Sequence, residues 1–377
     1  SSLSQWLNSY TNQSSVKEYA NLSAFPTADS ANHGDIAFSL DSGAYRISEQ
    51  LAWREISLNA DSVIAAASNY TPSPSPQQGS SYGYVSAGIS RIDPPASNPA
   101  VYERTIERFP FSSNTNASDV GDITTGRRWV TGQSSSTHGY VSGGASPTGP
   151  YHNQIEKFTF PSGSPATDVG DMTQPKSSVV GQSSSTHGYV SGGVSPTIPG
   201  RSNVIEKFPF PSDGNATDVG DLIAPKSSAA GQSSPVNGYI SGGYNGAYVN
   251  EIEKFPFSAD GNATDIGDIT VARSSVTGNS SSTNGYSSGG STPSYVNTID
   301  KFPFASDGNA TDVGDITLAR SSAGGTGQSS TASGYMSGGW SGSKSNVIEK
   351  FPFPSDGNAT DVGDLTAEKY VVVGQQV

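Results

Sequence analysis

The sequence predicts an all-β fold, a six-bladed β-propeller, preceded by a small α+β module. A unit of about 50 residues returns six times, and its Asp-Val/Ile-Gly-Asp segments end 49, 50, 47, 47 and 49 residues apart. A period of this length is typical of repeat architectures. These segments end at Asp122, Asp171, Asp221, Asp268, Asp315 and Asp364. A second motif, Gly-Tyr-x-Ser-Gly/Ala-Gly, places Tyr84, Tyr140, Tyr189, Tyr239, Tyr286 and Tyr335 at the same spacing.

Each repeat contains four short strand-like runs, which in the third copy cover residues 177–182, 188–192, 204–210 and 216–222. Apolar and polar residues alternate along the third run, as expected of a strand. Asp213-Gly-Asn215 forms a tight-turn signal between the last two runs. Four short antiparallel strands in each of six repeats match the blades of a propeller.

The distribution of these runs also predicts how the ring closes. The first run, of Gly-Gln type, precedes repeats two to six and returns once more near the C-terminus, at residues 371–375. The first repeat has no good copy of its own. We therefore expect residues 370–377 to complete the blade that contains Tyr84, so that the propeller domain covers residues 81–377.

The repeats resemble the kelch family. Kelch blades carry a hydrophobic run that ends in Gly-Gly, a long loop, and then a strand with a charged and aromatic centre. Tyr189-Val-Ser-Gly-Gly193 and Ile205-Glu-Lys-Phe208 occupy those places, and Arg273-Ser and Arg320-Ser echo a later family motif. The kelch tryptophan is absent from every repeat, and Asp-Val-Gly-Asp stands near its place. The resemblance implies a fold and says little about function.

Residues 1–58 have no repeat character and form the predicted attachment and oligomerisation module. Apolar spacing and capping patterns predict helices over 3–10 and 16–22. Alternation predicts three strands between residues 35 and 58. A Pro/Ser-rich stretch, 59–80, is expected to be an extended connector. Such a short module buries aromatic side chains poorly by itself, so we expect it to assemble through Trp6, Leu7, Tyr10 and Trp53.

The pattern Gly-Asp-x-Ala-Phe…Tyr-x-Ile…Trp-x-x-Ile from Gly34 to Ile56 resembles a small β-module of structural and tail-fibre-like proteins of marine bacteriophages. Ser48-Glu-Gln-Leu51 stands where that module usually has a short Gly-rich turn. The resemblance implies a structural role on a virion.

Composition excludes several functional classes. The formal net charge is −13, so phosphate backbones are repelled and we expect no nucleic-acid partner. No apolar run is long enough for a transmembrane helix, and we expect no membrane insertion. The chain has no cysteine. It also shows no phosphate-binding loop, and we expect no enzyme activity and no cofactor.

Two features of the repeated turn have alternative interpretations. Asp213 to Asp221 spaces its oxygens like a calcium loop, but the same residues suit a plain hairpin turn, and we expect no metal. The Asn-Ala-Thr/Ser sequences fit either glycosylation acceptors or turn residues. These asparagines are Asn116, Asn215, Asn262, Asn309 and Asn358. His138 and His187 share one repeat position in neighbouring blades, where a polar turn is favoured over a metal site.

The repeats differ most between the Gly-Gly pair and the third strand, at residues 89–105, 145–154, 194–204, 244–251, 291–298 and 340–347. All six segments should emerge on one face of the ring, and loops on a rigid scaffold commonly carry recognition. Aromatic side chains there suit saccharides or protein surfaces, although unconstrained loops also drift in sequence. The candidate binding residues are Tyr102, Tyr151, Tyr244, Tyr248, Tyr295 and Trp340.

These observations favour a non-catalytic structural protein on the surface of a bacteriophage virion, with a receptor- or glycan-binding face. The alternative is a subunit of a self-assembling extracellular microbial filament, in which residues 1–58 dock on a neighbouring propeller. Either way the partners are copies of the chain or other virion or filament proteins, and the location is the virion surface or extracellular. A hydrolase of surface polysaccharide is a third hypothesis.

Overall fold

The structure is a computed structural model. It describes residues 78–91, 101–147, 149, 151–197, 200–321 and 325–377, together with the backbone of four strands nearer the N-terminus. The chain divides into two compact units, Ser1–Pro72 and Ser73–Val377, and the division falls inside the predicted connector. No helix in the described part is long and apolar enough to cross a membrane.

The described strands of the first unit form a four-stranded sheet, ordered β1 (Lys17–Tyr19), β2 (Ile36–Ser39), β3 (Ala44–Glu49) and β4 (Ala52–Glu55). β1 and β2 are parallel, and the other pairs are antiparallel. The last three strands lie where alternation predicts them. The helix predicted over 16–22 is wrong at Lys17–Tyr19, because so short a helix is marginal alone, whereas pairing with β2 bonds the backbone.

Residues 3–10, including Trp6, Leu7 and Tyr10, lie outside the described residues, and so do His33 and the connector up to residue 77. Trp53 lies on β4, opposite Ser48 of β3.

The second unit is a six-bladed propeller, as predicted. Each blade is a four-stranded antiparallel sheet whose strands are ordered from the axis outwards. Blade I is β30 (Val373–Gln376), β5 (Tyr82–Ser86), β8 (Thr105–Pro110) and β9 (Ser118–Asp122); blade II is β10 (Thr131–Ser134), β11 (His138–Ser142), β12 (Gln154–Thr159) and β13 (Thr167–Asp171); blade III is β14 (Val180–Ser183), β15 (His187–Ser191), β16 (Val204–Pro209) and β17 (Thr217–Asp221).

The remaining blades continue in chain order around the ring. Blade IV is β18 (Ala230–Ser233), β19 (Asn237–Ser241), β20 (Glu251–Pro256) and β21 (Thr264–Asp268); blade V is β22 (Thr277–Ser280), β23 (Asn284–Ser288), β24 (Thr298–Pro303) and β25 (Thr311–Asp315); blade VI is β26 (Gln328–Ser329), β27 (Ser333–Ser337), β28 (Ser345–Pro352) and β29 (Thr360–Lys369). Two short strands, β6 (Ile89–Arg91) and β7 (Val101–Tyr102), pair within the first loop of blade I.

Blade I combines strands from both ends of the unit. β30 pairs with β5 in antiparallel register, from Val373 opposite Ser86 to Gln376 opposite Gly83. Glycine at each innermost strand allows neighbouring blades to approach closely. A Cβ on Gly374 would lie 2.6 Å from the carbonyl oxygen of Gly327, so a side chain there would clash with backbone.

Aromatic side chains join each blade to the next. Tyr140 of blade II lies against Phe208 and Phe210 of blade III, with ring centroids 5.5 and 4.7 Å away. The same contact recurs around the ring and ends where Tyr335 of blade VI meets Phe109 and Phe111 of blade I. Stacked and tilted ring pairs of this kind add to the burial of apolar area.

Each blade also holds one buried ion pair. A carboxylate of the third strand meets a cation from the crossover that enters the blade. The pairs are Lys369–Glu107, Arg127–Glu156, Lys176–Glu206, Lys226–Glu253, Arg273–Asp300 and Arg320–Glu349, with side chains at most 2% exposed. Burial lowers the pKa of Arg127 and Arg273, and the partner carboxylate opposes this change. Each pair ties the crossover to the centre of the next sheet.

We expect Glu206→Gln to destabilise the propeller by about 3–5 kcal/mol, because Lys176 would then be buried without a countercharge. Asp260→Asn is the matched control, since it removes the partly exposed ion pair between Lys207 and Asp260 and should cost less than about 1 kcal/mol. Denaturant unfolding of the two variants measures the difference. Equal losses would show that the buried pairs do not anchor the crossovers.

Candidate functional site

Six loops emerge on one face of the propeller, as expected from the repeats. Because the strands are antiparallel, the loop after the second strand and the crossover to the next blade leave the sheet at the same end. The loops begin at a Gly-Gly pair, or Ala-Gly in blade I. Gly192 and Gly193 have φ of 64° and 96°, and a Cβ on Gly192 would meet the Lys226 carbonyl oxygen at 2.5 Å. We call this end of the ring the Gly-Gly face.

Backbone bridges hold each loop in the same way. In blade II, Ala145 bridges both Arg128 of the preceding crossover and Tyr151 of its own loop. The other candidate binding residues occupy equivalent positions. Tyr244 and Trp340 correspond to Ala145, and Tyr102, Tyr248 and Tyr295 correspond to Tyr151.

The structure brings some of these side chains together and leaves others apart. Tyr244 and Tyr248 form an edge-on pair with centroids 5.5 Å apart, and the Arg201 guanidinium lies 4.4 Å from the Tyr244 ring centre. Tyr151 and Tyr295 sit on their own loops, held by the bridges to Ala145 and Ser291.

A longer group of side chains crosses blades VI, I and II. Arg128 lies 3.6 Å from the centre of the Trp129 ring and 5.3 Å from that of Tyr102. Trp340 contacts Tyr370, with centroids 5.3 Å apart. Ile89 lies between these two contacts, since it pairs with Tyr102 and bridges Tyr370. We call Lys344, Trp340, Tyr370, Tyr102, Arg128 and Trp129 the aromatic strip.

Sequence reasoning missed Arg128, Trp129, Arg201, Lys344 and Tyr370. The signal for Arg128 and Trp129 is a departure from the repeat: where blade II has Arg128-Trp129, blades III to VI have Ser-Ser. Aligning the repeats at the crossovers would have found it.

Three cations of the Gly-Gly face have no carboxylate partner among the described residues. Arg128 and Arg201 lie over aromatic rings, and Arg201 Nε donates to Ser227 Oγ at 3.2 Å. Lys344 Nζ donates to the backbone carbonyl of Ser90. Burial raises the pKa of Tyr370 and the Arg128 charge opposes this, so the phenol remains a neutral hydrogen-bond donor at neutral pH.

Exposed apolar side chains concentrate on the same face. Seven large apolar residues are exposed in the described part of the chain, and six of them lie on loops or crossovers of the Gly-Gly face. These six are Val101, Ile223, Tyr248, Val271, Tyr295 and Leu318. The seventh, Val236, lies on the opposite end, in the hairpin between the first two strands of blade IV.

The axis of the ring has little room for a ligand. A polar cavity of about 40 Å³ is lined by Gly, Gln and Ser residues of the innermost strands, which is room for one or a few water molecules. The Gly325 carbonyl accepts the N–H groups of two residues of this lining, Gly231 and Gly278, at 2.9 and 3.2 Å.

His138 and His187 each contact the neighbouring threonine of their own turn. His138 Nδ1 and His187 Nδ1 each lie 2.8 Å from the preceding threonine Oγ1, and burial lowers the pKa of both imidazoles. No group of three or more metal-ligating side chains occurs within the described ranges. His152 Nε2 lies 2.5 Å from Ser146 Oγ, but its other ring nitrogen faces the neutral Gln154 amide at 3.3 Å. A neutral amide cannot stabilise an imidazolium as a carboxylate does.

The side-chain oxygens of the repeated turn accept hydrogen bonds from other groups of the protein. Asp213 accepts from Lys157 Nζ of the preceding blade at 2.7 Å, and Asp218 Oδ1 accepts the Gly220 N–H at 3.2 Å. Asn215 Oδ1 accepts the Asp171 N–H, also from the preceding blade, at 3.0 Å. Asn116, Asn262, Asn309 and Asn358 make the same interblade bond. These asparagines are exposed, and glycosylation at their Nδ2 atoms stays a prediction.

No protein-family model matches this chain, and no curated protein matches it. The six-bladed fold is consistent with kelch-like repeats. The resemblance of residues 34–56 to bacteriophage proteins gains no support from these comparisons.

We expect EDTA to leave the melting temperature of the propeller unchanged, because Lys157 already neutralises the carboxylate of Asp213 and backbone N–H groups bond Asp218 and Asn215. Calorimetry with and without chelator measures this. A large fall in melting temperature that Ca²⁺ alone restores would show that the turns are calcium loops.

Proposed function

We propose that this chain is a non-catalytic structural protein displayed on the surface of a bacteriophage virion, and that the Gly-Gly face binds a cell-surface glycan or receptor. The concentration of exposed apolar side chains on that face carries the proposal. Away from this face, the blades repeat nearly the same contacts, and these contacts stabilise the propeller. Exposed apolar and aromatic groups gathered on one face are typical of interaction sites.

The setting of this display has two versions. On a virion, residues 1–58 attach the chain to other virion proteins; in a microbial filament, they dock on the propeller of a neighbouring copy. Trp53 on β4 and the aromatic residues Trp6 and Tyr10 of the first unit are the proposed contacts. The propeller is acidic and rich in small polar residues, which favours solubility over packing.

The display role also needs a rigid ring, and we infer that the strand Val373–Gln376 closes the ring by pairing in blade I. Its pairing with Tyr82–Ser86 supplies the innermost strand of blade I. Gln375 Nε2 donates to the Tyr140 carbonyl of blade II at 3.1 Å, and the Gln376 N–H donates to Ser134 Oγ at 3.1 Å. One strand thereby joins the two ends of the unit.

Binding to a glycan array tests the recognition face. We expect the full chain to bind, and Tyr248→Ala combined with Tyr295→Ala to weaken binding about tenfold, or about 1.4 kcal/mol, because both rings are exposed there. Val236→Ala on the opposite end is the control and should bind normally. The proposal fails if Val236→Ala weakens binding and the double variant does not.

The same glycans test the non-catalytic part of the proposal. Among the described residues, the Ser146–His152 contact is the observation that favours a hydrolase. Cleavage of a bound glycan that Ser146→Ala abolishes would replace display by hydrolysis.

We expect the full chain to assemble and a chain that starts at Ser73 to remain a folded monomer, because that cut leaves the second compact unit whole. Light scattering and electron microscopy of the two proteins measure this. Assembly of the shortened chain would place the main interface between propellers and would favour the filament.

A further inference from the structure

The crossover into blade II departs from the pattern set by four other blades. At this place blades III, IV, V and VI carry Ser177-Ser178, Ser227-Ser228, Ser274-Ser275 and Ser321-Ser322. In blades III to V the second residue of the pair has a left-handed backbone, with φ between 53° and 56°, and Trp129 has the same φ of 56°. The crossover of blade II therefore has the same backbone shape with different side chains.

Trp129 is not required by this backbone. A left-handed φ is disfavoured for a bulky residue, and three blades form the same turn with serine. Strained residues that the fold does not need are concentrated at functional sites. Trp129 is only partly buried, so its indole is available at the surface.

Arg128 is a cation without a countercharge. Its guanidinium lies on the Trp129 ring and near Tyr102, and its buried Nε atom has no hydrogen-bond partner. No carboxylate of the described residues pairs with it. The planar fork of a guanidinium matches a carboxylate, so this cation is a candidate partner for an external anion.

A second cation of the aromatic strip also has no carboxylate partner among the described residues. Lys344 is bridged to Trp340, and its Nζ atom bonds only to the Ser90 carbonyl among the described groups. Ser90 follows Ile89, which pairs with Tyr102 and bridges Tyr370. The strip therefore holds two positive charges beside its aromatic rings.

We propose that the aromatic strip binds an acidic polysaccharide, whose carboxylates meet Arg128 and Lys344 and whose sugar rings lie on Trp129, Tyr102 and Trp340. Aromatic rings pack against the apolar faces of sugars, and the guanidinium fork matches a carboxylate. The dense phosphates of a nucleic acid are repelled by the net negative charge of the chain. This inference rests on the proposed glycan-binding function and names its ligand class.

The test uses the full chain with polygalacturonate, alginate and hyaluronan, each beside its carboxyl-reduced form. Replacing Arg128-Trp129 by Ser-Ser gives the pair that four blades already carry. We expect the native chain to bind an acidic form at least tenfold more tightly than the reduced form, with affinity that falls as NaCl rises. The Ser-Ser variant should lose this binding and keep its melting temperature or raise it.

Two further variants keep the result interpretable. Arg128→Gln keeps a flat side chain beside Trp129 but removes the charge, and should lose the preference for the acidic form even if the Ser-Ser variant is poorly folded. Ser274→Ala combined with Ser275→Ala alters the equivalent crossover of blade V and should bind as the native chain does.

The outcomes separate this inference from the function on which it rests. Equal binding of acidic and reduced forms would overturn the acidic ligand and leave glycan recognition standing. Acid-selective binding that survives both Arg128 variants would overturn the strip as its site. Failure to bind any of the three acidic polymers would overturn the inference, and failure to bind the neutral glycans of the array as well would overturn the proposed function.

Discussion

A tyrosine from each blade lies against two phenylalanines of the next, and this contact closes on itself after six steps. The ring centroids of the tyrosine and the second phenylalanine lie 4.6–4.9 Å apart in all six copies, stacked in five and tilted in Tyr84–Phe160. Most of the apolar core of this low-hydrophobicity chain is gathered at such contacts between blades. A blade alone would therefore expose the side chains that it shares with its neighbours, and the stability of each blade depends on the ring.

Polar groups follow the same cycle near the axis. The side-chain amide of the innermost glutamine, or asparagine in blade V, donates to the tyrosine backbone carbonyl of the next blade. The series ends with Gln328 donating to Tyr84 and Gln375 donating to Tyr140. Together with the buried ion pairs, these bonds constrain the inner strands and the crossovers. The loops of the Gly-Gly face are the part of each repeat that the cycle does not constrain, and there the blades differ in aromatic and charged residues.

The number and order of strands could be predicted from the sequence, because the repeat period, the tight turns and the alternation are local patterns. The buried ion pairs could not, because the pattern does not show which charges meet: Arg127 and Glu156 are 29 residues apart, and Lys369 and Glu107 are 262 apart. The role of Asn215 was missed for the same reason, since its partner is in another blade. Arg128 and Trp129 could have been found from the sequence as a departure from the repeat. That Arg128 lies near Tyr102 is visible only in the structure.

Removal of residues 373–377 tests most directly whether the ring depends on its closing strand. Without them, blade I lacks its innermost strand and the bonds from Gln375 and Gln376 to blade II are lost. We predict that the melting temperature falls by roughly 10 °C or more, as expected for a loss of several kcal/mol in a domain of this size, and that a peptide spanning residues 370–377 restores part of the loss. An unchanged melting temperature would contradict closure by this strand and the dependence of the blades on an unbroken cycle.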